Sequence, residues 1–262
     1  MTSNIWIKKS IQIANSCGYL DKLLEIYSVP KEEERPLPSG YDEEKIREAF
    51  EIKDVKKLLT TLLSMPKFPI DDPYIPCLRH FPELIDKNPK TVKRIGDALF
   101  SLGIETLLNL AKQPKKPSRQ MGSSFKKWLN NLGYPYLKEK IFLESADISF
   151  LKGSDQKLLE FAKTYLGIKS LDKGVDFIIK INGNYILGEA KFISDFGGSQ
   201  TNQLKQALEI GKLDGKNFRG VAVLDGIIWF NKLNNTYLKT IKTSGAIALS
   251  ALLLKEFFDS LK

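Results

Sequence analysis

Apolar residues recur at helical spacing through the first part of the chain. Ile5, Ile7, Ile11, Ile13, Leu20, Leu23, Leu24 and Ile26 mark one or two helices over residues 4–28. The proline- and charge-rich "VPKEEERPLPSGYDEE" reads as a linker. Helical patterns resume in "DEEKIREAFEIKDVKKLLTTLLSM", break at the prolines of "PKFPIDDPYIP" and return in "NPKTVKRIGDALFSLGIETLLNLAKQ". Residues 1–115 are therefore expected to form an all-helical N-terminal region.

The pattern changes after a basic stretch. "SDQKLLEFAKTYLG" has Ser154 as N-cap and Gly167 as stop, which predicts a helix of about three turns. "GVDFIIKI" and "YILGEAKF" are β-rich runs around the turn signal Asn182-Gly183, which predicts a hairpin. "GGSQTNQLKQALEIGK" reads as a loop and helix, "RGVAVLD" and "IIWF" as two more strands, and residues 246–261 as a closing helix. This order describes an α/β fold, a mixed central β-sheet flanked by helices, over residues 116–262.

Composition narrows the chemistry. The chain of 262 residues is 42% apolar, enough for a proper core, and its two cysteines and single histidine exclude a Cys/His zinc site within one chain. Cys17, Cys77 and His80 read as ordinary core or surface residues. The N-terminus lacks the pattern of a signal peptide, and "TSGAIALSALLL" is too short to span a bilayer, so a cytoplasmic protein is expected. Of the formal charge of +9, much lies in residues 111–140, where eight bases face the single acid Glu139. Such a cluster points to a polyanionic partner or, less specifically, to a solvated lysine-rich face.

The hairpin carries the sharpest signal. With Asn182-Gly183 as the loop, paired residues place Asp176 opposite Glu189; with Gly183-Asn184, Asp176 faces Lys191 instead. Side chains alternate along a strand, so Asp176, Glu189 and Lys191 share a face in either register, beside Ile178 and Leu187. The other face, with Val175, Phe177, Ile179, Ile186 and Ala190, is expected to pack on a helix. An acid-x-Lys triplet alone is cheap: Glu43-x-Lys45, Glu51-x-Lys53, Asp54-x-Lys56, Asp155-x-Lys157 and Asp214-x-Lys216 share the spacing. The triplet at 189 differs in ending an apolar strand with an aspartate across the hairpin. Facing carboxylates repel unless a cation holds them, and a hard ion such as Mg²⁺ takes oxygen ligands of this kind.

"VDFIIK" and "GEAK" resemble the PD-(D/E)xK nuclease superfamily and, within it, type II restriction endonucleases. The resemblance spans about residues 154–230 and departs from the family name at Val175, where a proline would stand. It implies Mg²⁺-dependent, sequence-specific hydrolysis of phosphodiester bonds in double-stranded DNA. Asp176 and Glu189 would bind Mg²⁺ with the Ala190 carbonyl, Lys191 would orient or activate the attacking water, and Glu160 is the candidate on the first core helix for an added glutamate. A homodimer and a cognate DNA methyltransferase as companion activity are also implied. No G-x-x-x-x-G-K-[ST] motif occurs, which disfavours an ATP-driven nuclease. The rivals are a structure-selective or repair nuclease with the same core, and a non-catalytic DNA-binding protein.

Residues outside the hairpin are expected to hold the DNA. Lys115, Lys116, Lys126 and Lys127 suit phosphate contacts, and Arg119 and Gln120 have side chains capable of bidentate base contacts. The helical spacing of Phe125, Trp128, Leu129 and Leu132 favours packing over base stacking. Gln200, Gln203 and Gln206 recur every three residues after Gly197-Gly198-Ser199, and Gln200 and Gln203 are expected to touch DNA.

Overall fold

The computed structural model describes residues 2–28, 37–113, 121–231 and 236–262. Two compact units emerge: Met1–Val29 together with Met121–Lys262, and Pro30–Gln120. Within the second, α3 (Glu43–Glu51), α4 (Val55–Leu63), α5 (Ile75–His80), α6 (Leu84–Lys87), α7 (Pro89–Ser101) and α8 (Ile104–Lys112) share a core around Ile46, Leu58, Leu62, Ile95, Leu99 and Leu107. Asp42 and Asp54 cap α3 and α4 by accepting the backbone N–H groups of Lys45 and Lys57, and Lys53 turns the chain between them at φ 55°.

The first unit holds α1 (Thr2–Ala14) and α2 (Tyr19–Ile26), separated at Gly18 with φ 76°, and the sheet. Its remaining elements are α9 (Met121–Asn130), β1 (Tyr136–Leu137), α10 (Glu139–Glu144), β2 (Ser149–Leu151), α11 (Asp155–Tyr165), β3 (Phe177–Ile181), β4 (Asn184–Ile193), α12 (Gly198–Gly211), β5 (Phe218–Gly226), α13 (Thr236–Thr243), β6 (Ala248–Leu249) and α14 (Leu254–Asp259). Among the described residues six strands lie in sequence order, with β2–β3 and β3–β4 antiparallel and β1–β2, β4–β5 and β5–β6 parallel. The fold is thus α/β with a mixed sheet.

These compact units run differently from a division at residue 115. Trp6, Ile7, Tyr19, Leu23 and Ile26 share one core with Val223, Leu249 and Phe257, so α1 and α2 group with the sheet. That burial depends on partners some two hundred residues away, which helical periodicity cannot report.

Alternation along the hairpin feeds two cores. Phe177, Ile179, Ile181, Ile186 and Ala190 join the core that includes α9, α12 and α14, while Ile178 and Leu187 join Phe142, Leu158 and Phe161 of α10 and α11. Both faces of β3 are therefore covered. Val175 falls in the second core rather than with Phe177, because the chain leaves regular pairing just before β3. The buried Lys180 donates to the carbonyls of Phe142 and Leu143 at the end of α10, a favourable place for a cation.

Two predicted elements need correction. "IIWF" is not a strand: Gly226 at φ 94° ends β5, and Ile227–Trp229 forms a 3₁₀ turn whose buried indole donates to the Leu224 carbonyl at 2.6 Å. Residues 246–261 are not one helix. Ala248 and Leu249 pair with Ala222 and Val223 as an edge strand, Ser250 caps a 3₁₀ turn over Ala251–Leu253, and α14 follows. Short apolar runs do not separate strand from helix by periodicity alone. Among the described residues no helix is long and apolar enough to cross a membrane.

Gly188 shows how tightly the hairpin is packed. A Cβ there would lie 2.0 Å from Cζ of Phe177, a ring held among Phe125, Phe150 and Phe258. Gly188→Ala is expected to cost about 1–3 kcal/mol through overpacking, read as a lower urea midpoint. An unchanged midpoint would mean that the ring can move aside.

Candidate active site

Asn182 and Gly183 both have positive φ, 48° and 76°, and form the two-residue turn joining β3 to β4. Ile181 pairs with Asn184 and Phe177 with Gly188, which selects the register that brings Asp176 level with Glu189. Asp176 is the first residue beyond the regular ladder. Its N–H donates to the Gly188 carbonyl at 2.9 Å, and its Oδ2 accepts the Ala190 N–H at 2.9 Å. Asp176 thus grips β4 on both sides of Glu189, which fixes the two carboxylates relative to each other.

Lysines surround this pair. Oε1 of Glu189 accepts from Nζ of Lys191 at 2.7 Å and from Nζ of Lys173 at 3.1 Å. Nζ of Lys126, from α9, lies 2.8 Å from Oδ1 of Asp155 and 3.5 Å from Oδ1 of Asp176. Glu189 is buried, whereas the side chains of Asp176 and Lys191 retain 19% and 20% exposure, enough for a substrate to reach them. Burial raises the carboxyl of Asp176 above the ordinary aspartate range, and the charge of Glu189 adds to that. The Ala190 N–H and the ammonium groups of Lys191 and Lys126 pull it back.

Sequence spacing brings Asp176, Glu189 and Lys191 into view, but not Lys173 or Asp155. Lys173 stands in the loop before β3. Asp155 opens α11, and Gly174 presses against it so closely that a Cβ would lie 2.0 Å from the Asp155 carbonyl oxygen. A groove of about 420 Å³ beside Asp176 is lined by Lys126, Asn130, Tyr136, Lys152 and Asp155. Glu160, further along α11, is exposed and accepts a hydrogen bond from Gln156 at 3.0 Å. Asp155 rather than Glu160 shares a groove wall with Asp176.

The residues expected to hold DNA fare differently from one another. Lys115, Lys116, Arg119 and Gln120 lie outside the described residues. Lys127 faces solvent on α9, while Lys126 turns onto the acids. Phe125 and Leu129 are buried in the core, with Trp128 and Leu132 packed against it, as their helical spacing implies. Gln200 is committed internally: Oε1 accepts the Ser194 N–H at 2.8 Å and Nε2 donates to Oγ of Ser194 at 3.1 Å, which ties the end of β4 to α12. Gln203 is half-buried on the same helix, and Gln206 accepts from Lys173 at 3.0 Å.

The donor set suits a hard divalent ion with retained waters. Among the described residues no group of three or more His, Cys, Asp or Glu side chains is arranged to hold a metal. Two neighbouring carboxylates remain, and a cation between them would offset both the burial and the Glu189 charge that raise Asp176. Mg²⁺, which keeps several waters and takes one or two protein carboxylates, fits such a site better than an ion that demands a full protein cage.

No curated protein and no solved structure matches the chain. The sequence model of a restriction enzyme family does match, over residues 4–261, which takes in both compact units as well as the acid and lysine cluster. The chain belongs to the Tsp45I type II restriction enzyme family.

Proposed function

We propose that the chain cuts double-stranded DNA at a short specific sequence by Mg²⁺-dependent hydrolysis centred on Asp176, Glu189 and Lys191. The carrying observation is the meeting of Lys191 with Glu189 at 2.7 Å, with Asp176 anchored to both neighbours of Glu189. As a member of a restriction enzyme family the chain is a site-specific deoxyribonuclease, which sets aside a non-catalytic DNA-binding role.

In this reading Asp176 and Glu189 would hold the ion, with the Ala190 carbonyl as a further oxygen donor. When bound, the ion offsets the charge of the scissile phosphate and makes water a better nucleophile. Lys191 donates from Nζ to steer the attacking water and to steady charge building on the phosphate oxygens. Lys126 and Asp155 shape the wall along which the cut strand runs, and Lys127, Gln203 and the basic residues 115–120 contribute DNA contacts. Glu160 and Asp155 are the candidates for a third acid, Asp155 being the better placed. One active site per chain and two strands to cut favour a homodimer. A DNA methyltransferase of the same specificity would protect the host's own sites.

Digestion of plasmid DNA with Mg²⁺ or with EDTA tests this reading. Discrete Mg²⁺-dependent fragments with 5′-phosphates are expected, and their mapped ends give the recognition sequence. Intact DNA in Mg²⁺ would overturn the metal assignment, and a featureless smear would favour a nuclease without sequence preference.

A further inference from the structure

Lys173 belongs to none of the motif positions, yet it reaches the heart of the site. Its Nζ bridges Oε1 of Glu189 at 3.1 Å and Oε1 of Gln206 at 3.0 Å, so one carboxylate oxygen receives both Lys173 and Lys191. The two lysines are held differently. Lys191 projects from β4 and is 20% exposed, whereas Lys173 is 52% exposed on a loop. That loop is itself pinned by the close approach of Gly174 to α11, so the backbone of Lys173 stays at the rim while its half-exposed side chain makes the reach to Glu189 and Gln206.

We propose that Lys173 is a transferable phosphate-positioning cation: it rests on Glu189 and Gln206 and passes to a DNA backbone phosphate when a divalent ion takes Glu189. The inference rests on Asp176 and Glu189 being the metal ligands. Glu189 is buried and draws its counter-charge from Lys191 at 2.7 Å and, more loosely, from Lys173 at 3.1 Å. An ion at the same oxygen supplies that charge and competes with the ammonium group, which then has a solvent-facing path to the nearest polyanion. Gln206, neutral and on α12, holds the side chain near the site without a charge that would have to be overcome. The consequence is coupling: metal entry frees a cation for DNA, and DNA draws that cation away from the metal ligand.

Lys173→Met tests this with two readouts that do not depend on cleavage. In Mn²⁺ titrations without DNA, followed by electron paramagnetic resonance, the variant is expected to bind several-fold more tightly than the unaltered chain, because a competitor for Glu189 is gone. In gel shifts with the duplex mapped by digestion, Ca²⁺ replacing Mg²⁺, the log–log salt slope of binding should be shallower by about 0.9, one phosphate contact, in the variant. With EDTA the two slopes should coincide. Equal Mn²⁺ affinities, equal slopes in Ca²⁺, or a slope reduced equally in EDTA would each overturn the transfer. Mn²⁺ binding that Asp176→Asn and Glu189→Gln leave unaltered would instead overturn the metal site itself, and the transfer with it.

Discussion

Lys191→Met is expected to lower the single-turnover rate of DNA cleavage by roughly two to three orders of magnitude, the scale of losing a preorganised donor at a reacting phosphate. Asp176→Asn should be at least as damaging, for a separable reason. Its remaining oxygen can still accept the Ala190 N–H, so the turn of chain around Glu189 survives, but the negative charge is lost. The diagnostic comparison is therefore between binding and cutting. Duplex binding in Ca²⁺ should persist in Lys191→Met, while Asp176→Asn should lose the Ca²⁺ dependence of binding along with cleavage. Glu160→Gln serves as the contrast: it is exposed and paired to Gln156 on its own helix, and a change of about twofold or less is expected, against a larger loss for Asp155→Asn. Cleavage by Lys191→Met within tenfold of the unaltered chain would remove Lys191 from the chemistry.

That these three residues could be picked from the sequence has a physical basis. Asn-Gly is a turn signal with few alternatives, and a hairpin converts linear spacing into facing positions, so two charges on an apolar strand acquire a visible partner. Ser154 as the cap of α11 is equally local, and its hydroxyl accepts the Lys157 N–H. What stayed hidden depends on distant packing. Lys173 reaches Glu189 only because Gly174 lets a loop lie on the start of α11, and Lys126 reaches Asp176 only because α9 packs beside β4. The charge of the basic segment points to a polyanionic partner or a solvated face, without distinguishing Lys126, which turns inward, from Lys127, which does not. The two-residue strands β1 and β6 are too short to leave a pattern, and the bonds of Gln200 to Ser194 arise from a loop closure that spacing does not describe.

A second large effect concerns Asp225, which is fully buried at the end of β5, where it pairs with Phe192 one residue beyond Lys191. Its carboxylate accepts from the hydroxyl of Tyr27 at 2.8 Å, from Ser250, and from the Ala251 N–H at 3.1 Å, with Tyr19 more distant at 3.4 Å. Burial nonetheless dominates and pushes the carboxyl from its ordinary 3.8 up to about 6, against the lowering by these donors. The folded chain therefore keeps this proton to about pH 6, while the unfolded chain releases it near pH 4. Between those values folding takes up a proton, so the contribution to stability falls as pH rises through the window and levels off above it, by about 3 kcal/mol in all. Asp225→Asn retains an acceptor oxygen and does not titrate, so its stability should lack this decline; the difference between the two proteins should change by about 2–2.5 kcal/mol from pH 4 to pH 7. Tyr27→Phe removes a donor that favours the ionised form, and should move the window to higher pH. The three tryptophans, Trp6, Trp128 and Trp229, all lie in the unit that contains the sheet, so their fluorescence during urea unfolding reports on the relevant transition. Parallel stability curves for Asp225→Asn and the unaltered chain across this range would mean that Asp225 is ionised throughout. Its four donors would then outweigh its burial, and Tyr27, which packs on Phe192 next to Lys191, would hold β4 through a permanent charge.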